Sequence, residues 1–148
     1  MKLTRKLNSS AQSVILLHVI CPILLGAMIY ILFRQNTLFV FKWIHYLSLD
    51  KIVVLLRSLV KGIKIDNWIL YSLSDGIWVY SGTSLLLVIW KYQWNKQSII
   101  WIGFPFFISI IAELMQLFGF LRGTFCLVDT IIIIISFILA LFIHRGAE

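Results

Sequence analysis

The sequence predicts an all-α, polytopic membrane protein: a four-transmembrane-helix bundle with an interfacial amphipathic helix between spans one and two. Three observations predict it. The 148 residues are 61% hydrophobic and only 13% charged, with a mean hydropathy of +0.98, more apolar surface than a soluble domain of this size can hide. Four runs of about 18 residues or more are nearly free of charge, long enough to cross a bilayer as helices. They fill most of the chain, which leaves a single domain over 1–148 and no room for a soluble one. Lipid tolerates only helices and closed barrels, because every backbone polar group must be satisfied internally.

Span one is expected over about 14–33. The preceding MKLTRKLNSS is basic, as in a secretory signal, but a signal's apolar region is usually only about 7–15 residues long. Here the run ends at Tyr30-Ile31-Leu32-Phe33-Arg34, so it reads as a retained span. Pro22 is expected to kink it. His18 and Cys21 share a face, but no further ligands stand by them, and no metal site is assigned. Cys21 and Cys126 form no CxxC pair; one disulfide or plain apolar packing are the readings open to them.

Residues 38–64 are expected to lie at the membrane surface. LFVFKWIHYLSL is too short to span and carries Lys42 and His45 among aromatics. Lys51–Lys64 places Arg57, Lys61 and Lys64 at i, i+4 and i+7, with Ile52, Leu55, Leu56, Leu59 and Ile63 largely opposite. That is an amphipathic helix with a basic face, suited to head-group contact through Arg57, Lys61 and Lys64. Asp50 is expected to cap its start.

Span two, about 68–90, is bounded by Trp68 and Trp90 at the two aromatic belts. Ser72, Ser74, Gly76, Ser81, Gly82 and Thr83 make it small and polar, as helix–helix contacts in lipid require, so it is expected to be central. Asp75 is its one ionisable group. The short link KYQWNKQS makes span three, about 99–120, its antiparallel neighbour. Ser109, Glu113 and Gln116 fall on one stripe of that helix. A glycine-punctuated turn carrying Arg122 leads to span four, about 127–143. Asp129 sits in its first turn, where the helix dipole favours an acid. The five isoleucines Ile131–Ile135 are expected to face lipid.

Depth follows from topology. At about 1.5 Å rise per residue, Asp75 lies roughly 10 Å inside its entry at Trp68, and Glu113 roughly 10 Å short of its exit at Phe120. Span two enters where span three leaves, so the carboxylates stand at one depth, with Arg122 and Asp129 on the same side. A carboxylate in lipid-facing sequence is costly, at least about 2.5–3.5 kcal/mol at a helix centre, which makes it a functional-site hypothesis. The expected pocket is therefore Asp75, Glu113, Gln116, Arg122 and Asp129.

The net charge of +7 does not mark a nucleic-acid partner, because the bases sit at the chain ends and between the apolar runs, where they meet anionic lipid. The positive-inside comparison is nearly tied. The compact basic N-terminus favours both termini in the cytoplasm, with the pocket facing outward.

Glu113-x-x-Gln116, then Arg122, then Asp129 at the head of a last apolar helix resembles the VanZ-like family of small bacterial membrane proteins, named for a teicoplanin-resistance protein. The match covers the last two spans, about a quarter of the chain. Cys126 stands where the family has a further acid. The resemblance implies residence in the bacterial inner membrane and action on or near envelope lipid and cell-wall machinery.

The expected function is recognition of an amphiphilic envelope lipid or glycolipid, with membrane lipids as partners and no cofactor. Arg122 and the basic helix would take an anionic group, and Asp75, Glu113 and Gln116 a polar head. Two other readings stay open. The protein could be an accessory subunit, or a homo-oligomer, whose polar residues are only interhelical glue. It could also be a membrane enzyme or proton-coupled transporter using Glu113 and Asp75, although no nucleophile–base pair or phosphate loop names a reaction and no catalytic residue is assigned.

Overall fold

The computed structural model describes residues 12–34, 39–63, 66, 68–121 and 123–145. Helices joined by turns and short irregular links make up these residues, with no strand among them. Four helices are long and apolar enough to cross a membrane: α1 (Gln12–Phe33), α4 (Ile69–Ile89), α5 (Lys96–Leu117) and α6 (Leu127–His144). Between α1 and α4 lie two short ones, α2 (Phe39–Tyr46) and α3 (Asp50–Leu59).

α4 is the centre, packing against α1, α5 and α6. Its small residues let this happen. A Cβ on Gly76 would stand 2.5 Å from Ile132 Cγ2 and 2.6 Å from Ser136 Oγ, so only glycine permits the α4–α6 approach there. Gly82 meets the Pro105 ring of α5 in the same way, at 3.2 Å for an added Cβ. The isoleucine run therefore does not all face outward: Ile132 packs on Gly76 and Ile133 is buried, while Ile131 and Ile135 are exposed.

α1 and α4 each contain one π-helical turn, Leu16–Ile20 and Ile69–Leu73. In α1 the cause is Pro22, which lacks an N–H and whose ring collides with the carbonyl four residues back. The Cys21 N–H returns to Leu16 O, one residue further than in an α-helix. The extra residue in such a turn re-aims its side chains. Each π turn supplies one cross-helix polar contact: His18 with Tyr80, 2.6 Å between Nδ1 and the phenol oxygen, and Ser72 with Asp129.

α5 starts three residues earlier than its hydropathy suggests because of its cap. Asn95 Oδ1 accepts from the Ser98 N–H at 2.8 Å, and Ser98 Oγ accepts from the Asn95 N–H at 2.9 Å, a reciprocal capping box. Asn95→Ala should lose about 1 kcal/mol, read as a lowered unfolding midpoint in detergent; an unchanged midpoint would mean the cap contributes nothing. α5 also stops three residues early, at Leu117, where Gly119 (φ +76°) breaks it.

The surface helix differs from expectation. It ends at Leu59 and not at Lys64, because the chain turns at Val60–Gly62 with Gly62 at φ +113°. Lys61 thus lies in the turn beyond the helix, exposed, and Lys64 lies outside the described residues. Asp50 is the first helical residue, not the cap, and its carboxylate lies 3.0 Å from His45 Nδ1 on the exposed surface.

Burial is reversed from that of a soluble core. Among the described residues, eight apolar side chains and eight polar or charged ones are buried, while rows of large apolar side chains are exposed on every long helix. The interior is thus no more apolar than the surface.

Candidate functional site

The carboxylates come together where α4 starts, α5 ends and α6 starts. Asp75, Glu113 and Asp129 each offer a carboxylate oxygen within 4.8 Å of the others. Glu113 and Asp129 are buried and Asp75 half-buried. All three line one cavity of about 640 Å³, together with Gln116, Ser72, Tyr71, Trp68 and Arg34.

Local structure aims each acid. The π turn of α4 turns Ser72 inward, and its hydroxyl donates to Asp129 Oδ1. Cys126 is the residue before α6, in an extended conformation (φ −132°, ψ 122°). Its N–H is therefore outside the helix ladder, and it donates to Glu113 Oε2 at 3.4 Å. Asp129, in the first turn of α6, sits at the positive end of the helix dipole. Gln116 lies against Gly123: a Cβ there would meet Gln116 Oε1 at 2.5 Å, and Gly123 has φ +150°, which a side chain rarely adopts.

Arg34 brings the opposite charge. It follows α1 directly, in extended conformation, and its guanidinium carbon stands 4.2 Å over the Tyr71 ring and 5.1 Å from that of Tyr30. Such stacking suits arginine. Its Nε is shut off from solvent without an acceptor among the described residues. In the sequence Arg34 stands only as the residue that ends the first apolar run. The available signal was an arginine directly behind an apolar run, at the end of the molecule where the acids gather.

Of the residues expected to form the pocket, Asp75, Glu113, Gln116 and Asp129 share the cavity. Arg122 lies outside the described residues, as does Lys64. Of the other two expected head-group contacts, Lys61 is exposed and lines none of the cavity. Arg57 directs its guanidinium to backbone carbonyls at the end of α1, 2.6–2.9 Å away. Both cysteines are free thiols.

Chemically, three oxygen acceptors at this spacing suit a shared proton, an ammonium group, sugar hydroxyls or a hard divalent cation, which takes carboxylate oxygens. Its members stand 38 and 16 residues apart in the chain, and the depth argument from helical rise brings them to one level where no local motif does. At the other end of the four-helix cluster, His18 and His144 rings meet edge to face at 5.0 Å beside Tyr92. That contact joins α1 to α6, and sequence reading missed it because the partners are 126 residues apart. Comparison with protein-family models, curated proteins and solved structures finds no match for the chain.

Proposed function

We propose that the protein is a multi-pass membrane protein of the bacterial cell membrane whose one-leaflet pocket binds the polar head of an amphiphilic envelope lipid, in the manner suggested by its resemblance to the VanZ-like family. The four long helices would cross the bilayer. Their reversed burial supports this: exposed Leu, Ile and Phe are favourable against lipid, and the polar interior is where hydroxyls and acids find partners.

One observation carries the binding reading. Three carboxylates from three helices share a cavity with an arginine. Burying acids in hydrocarbon is unfavourable unless something compensates them. A head group that presents ammonium or hydroxyl donors to the acids and a phosphate or carboxylate to Arg34 satisfies both. Tyr71 and Trp68 would flank it at the head-group level, where aromatic rings are favoured.

The test is lipid co-purification. Wild-type protein and Glu113→Gln, both extracted from bacterial membranes in mild detergent, are compared by mass spectrometry. The wild type should carry an enriched lipid species that falls about tenfold in the variant, as expected for losing one hydrogen bond to a charged group. Equal lipid profiles would remove the reading.

A further inference from the structure

Arg57 occupies the last turn of α3. Its Nε and Nη2 donate to Ile31 O at 2.9 and 2.7 Å, and Nη2 also donates to Arg34 O at 2.6 Å. Its guanidinium carbon stands 4.8 Å over the Phe41 ring of α2. The carbonyls belong to the end of α1, where a helix has acceptors without intrahelical donors. One planar fork thus joins α1, α2 and α3, a geometry lysine cannot reproduce.

The consequence falls on Arg34. Its ψ of 158° takes it out of the helix, so the α1 ladder does not set the direction of its side chain. Its N–H still returns to Tyr30 O at 3.1 Å, and its carbonyl is held by Arg57. Between those two anchors the side chain crosses the Tyr71 ring and reaches the cavity wall. α3 packs mainly against α1 among the described helices, and its Ile52, Val54, Leu55 and Leu59 are exposed. This junction ties the surface hairpin to the residue that reaches the cavity wall.

We propose that Arg57 is a positioning residue for the cavity: by holding the Arg34 carbonyl it sets the Arg34 guanidinium against the anionic part of the bound head group, and so links the lipid-facing hairpin α2–α3 to ligand binding. This rests on the head-group reading above. Arg57 acts through Arg34 and does not itself touch the ligand.

A double-mutant cycle tests it. Wild type, Arg34→Gln, Arg57→Gln and the double variant are titrated in detergent with phosphatidylethanolamine, which carries both ammonium and phosphate, and followed by native mass spectrometry. Each single variant should bind about tenfold more weakly, and the double variant no more weakly than either, since both remove one interaction. Arg57→Lys should recover only part of the loss; it also serves as the variant if Arg57→Gln does not fold. Losses that multiply in the double variant would mean that Arg57 acts independently, which overturns the proposal. So would full binding by Arg57→Gln beside weakened Arg34→Gln, and in that case the head-group reading survives. Wild type that takes up no phosphatidylethanolamine, or binding unchanged in Arg34→Gln and Glu113→Gln alike, would remove the head-group reading and the proposal with it.

Discussion

Gly76→Val is expected to destabilise the protein by about 3 kcal/mol, the upper end of what overpacking a tight contact usually causes. The added Cβ would stand 2.5 Å from Ile132 Cγ2 and 2.6 Å from Ser136 Oγ. Ser136 can rotate away. Ile132 cannot easily do so, because its Cγ2 is attached at a β-branch with restricted χ1. α4 and α6 must therefore separate, and the preceding residue, Asp75, moves away from Asp129. The measurement is unfolding in mixed detergent–dodecyl sulfate micelles followed by circular dichroism. Gly82→Ala is the control: its Cβ would meet Pro105 at 3.2 Å, a contact that small shifts relieve. If Gly76→Val unfolds within about 0.5 kcal/mol of wild type, the range of an ordinary surface substitution, the close approach of α4 and α6 is refuted.

Asp75→Asn is expected to act with the opposite sign. Two unit charges within 4.8 Å of each other repel by at least about 3 kcal/mol at an effective dielectric constant near 20. Asparagine keeps the shape and removes one charge from the trio. The ligand-free protein should gain about 1 kcal/mol in the same unfolding assay, while binding of the co-purifying lipid weakens about tenfold. Stability gained as function is lost marks a site whose geometry serves a ligand and not the fold. Asp129→Leu is the contrast. It leaves the buried Ser72 hydroxyl without its acceptor, which costs about 1–3 kcal/mol. An Asp75→Asn protein as unstable as Asp129→Leu would show that Asp75 is structural, and the accessory-subunit reading would then gain.

The two predictions concern neighbouring residues with different legibility. Gly76 and Ser72 read in sequence only as part of a small, polar helix. That pattern sufficed to place α4 at the centre, where it packs on the other three long helices. It did not say which glycine meets which neighbour, because the rotation of one helix against another is decided by ridges and grooves from both. Depth was more legible. Rise per residue and antiparallel succession brought Asp75, Glu113 and Asp129 to one end of the molecule, and the structure gathers them in one cavity.

The surface segment was less legible. The periodicity of Lys51–Lys64 read as one basic helix, yet a single glycine at positive φ ends it and leaves Lys61 in a turn. Arg57 looked like a head-group contact because only its own helix was in view, whereas its acceptors are carbonyls 23 and 26 residues earlier.

Local chemistry and chain direction are enough to read the helical elements, four of them long and apolar enough for a bilayer, and the end at which the acids stand. Hydropathy and helical rise act residue by residue, so no partner is needed to read them. Packing decides which oxygens meet, that Arg34 lines their cavity, and that Arg57 donates to the Arg34 carbonyl. Those contacts depend on two π turns, a glycine-thin interface and hydrogen bonds between distant segments, and none of these exists until the helices pack.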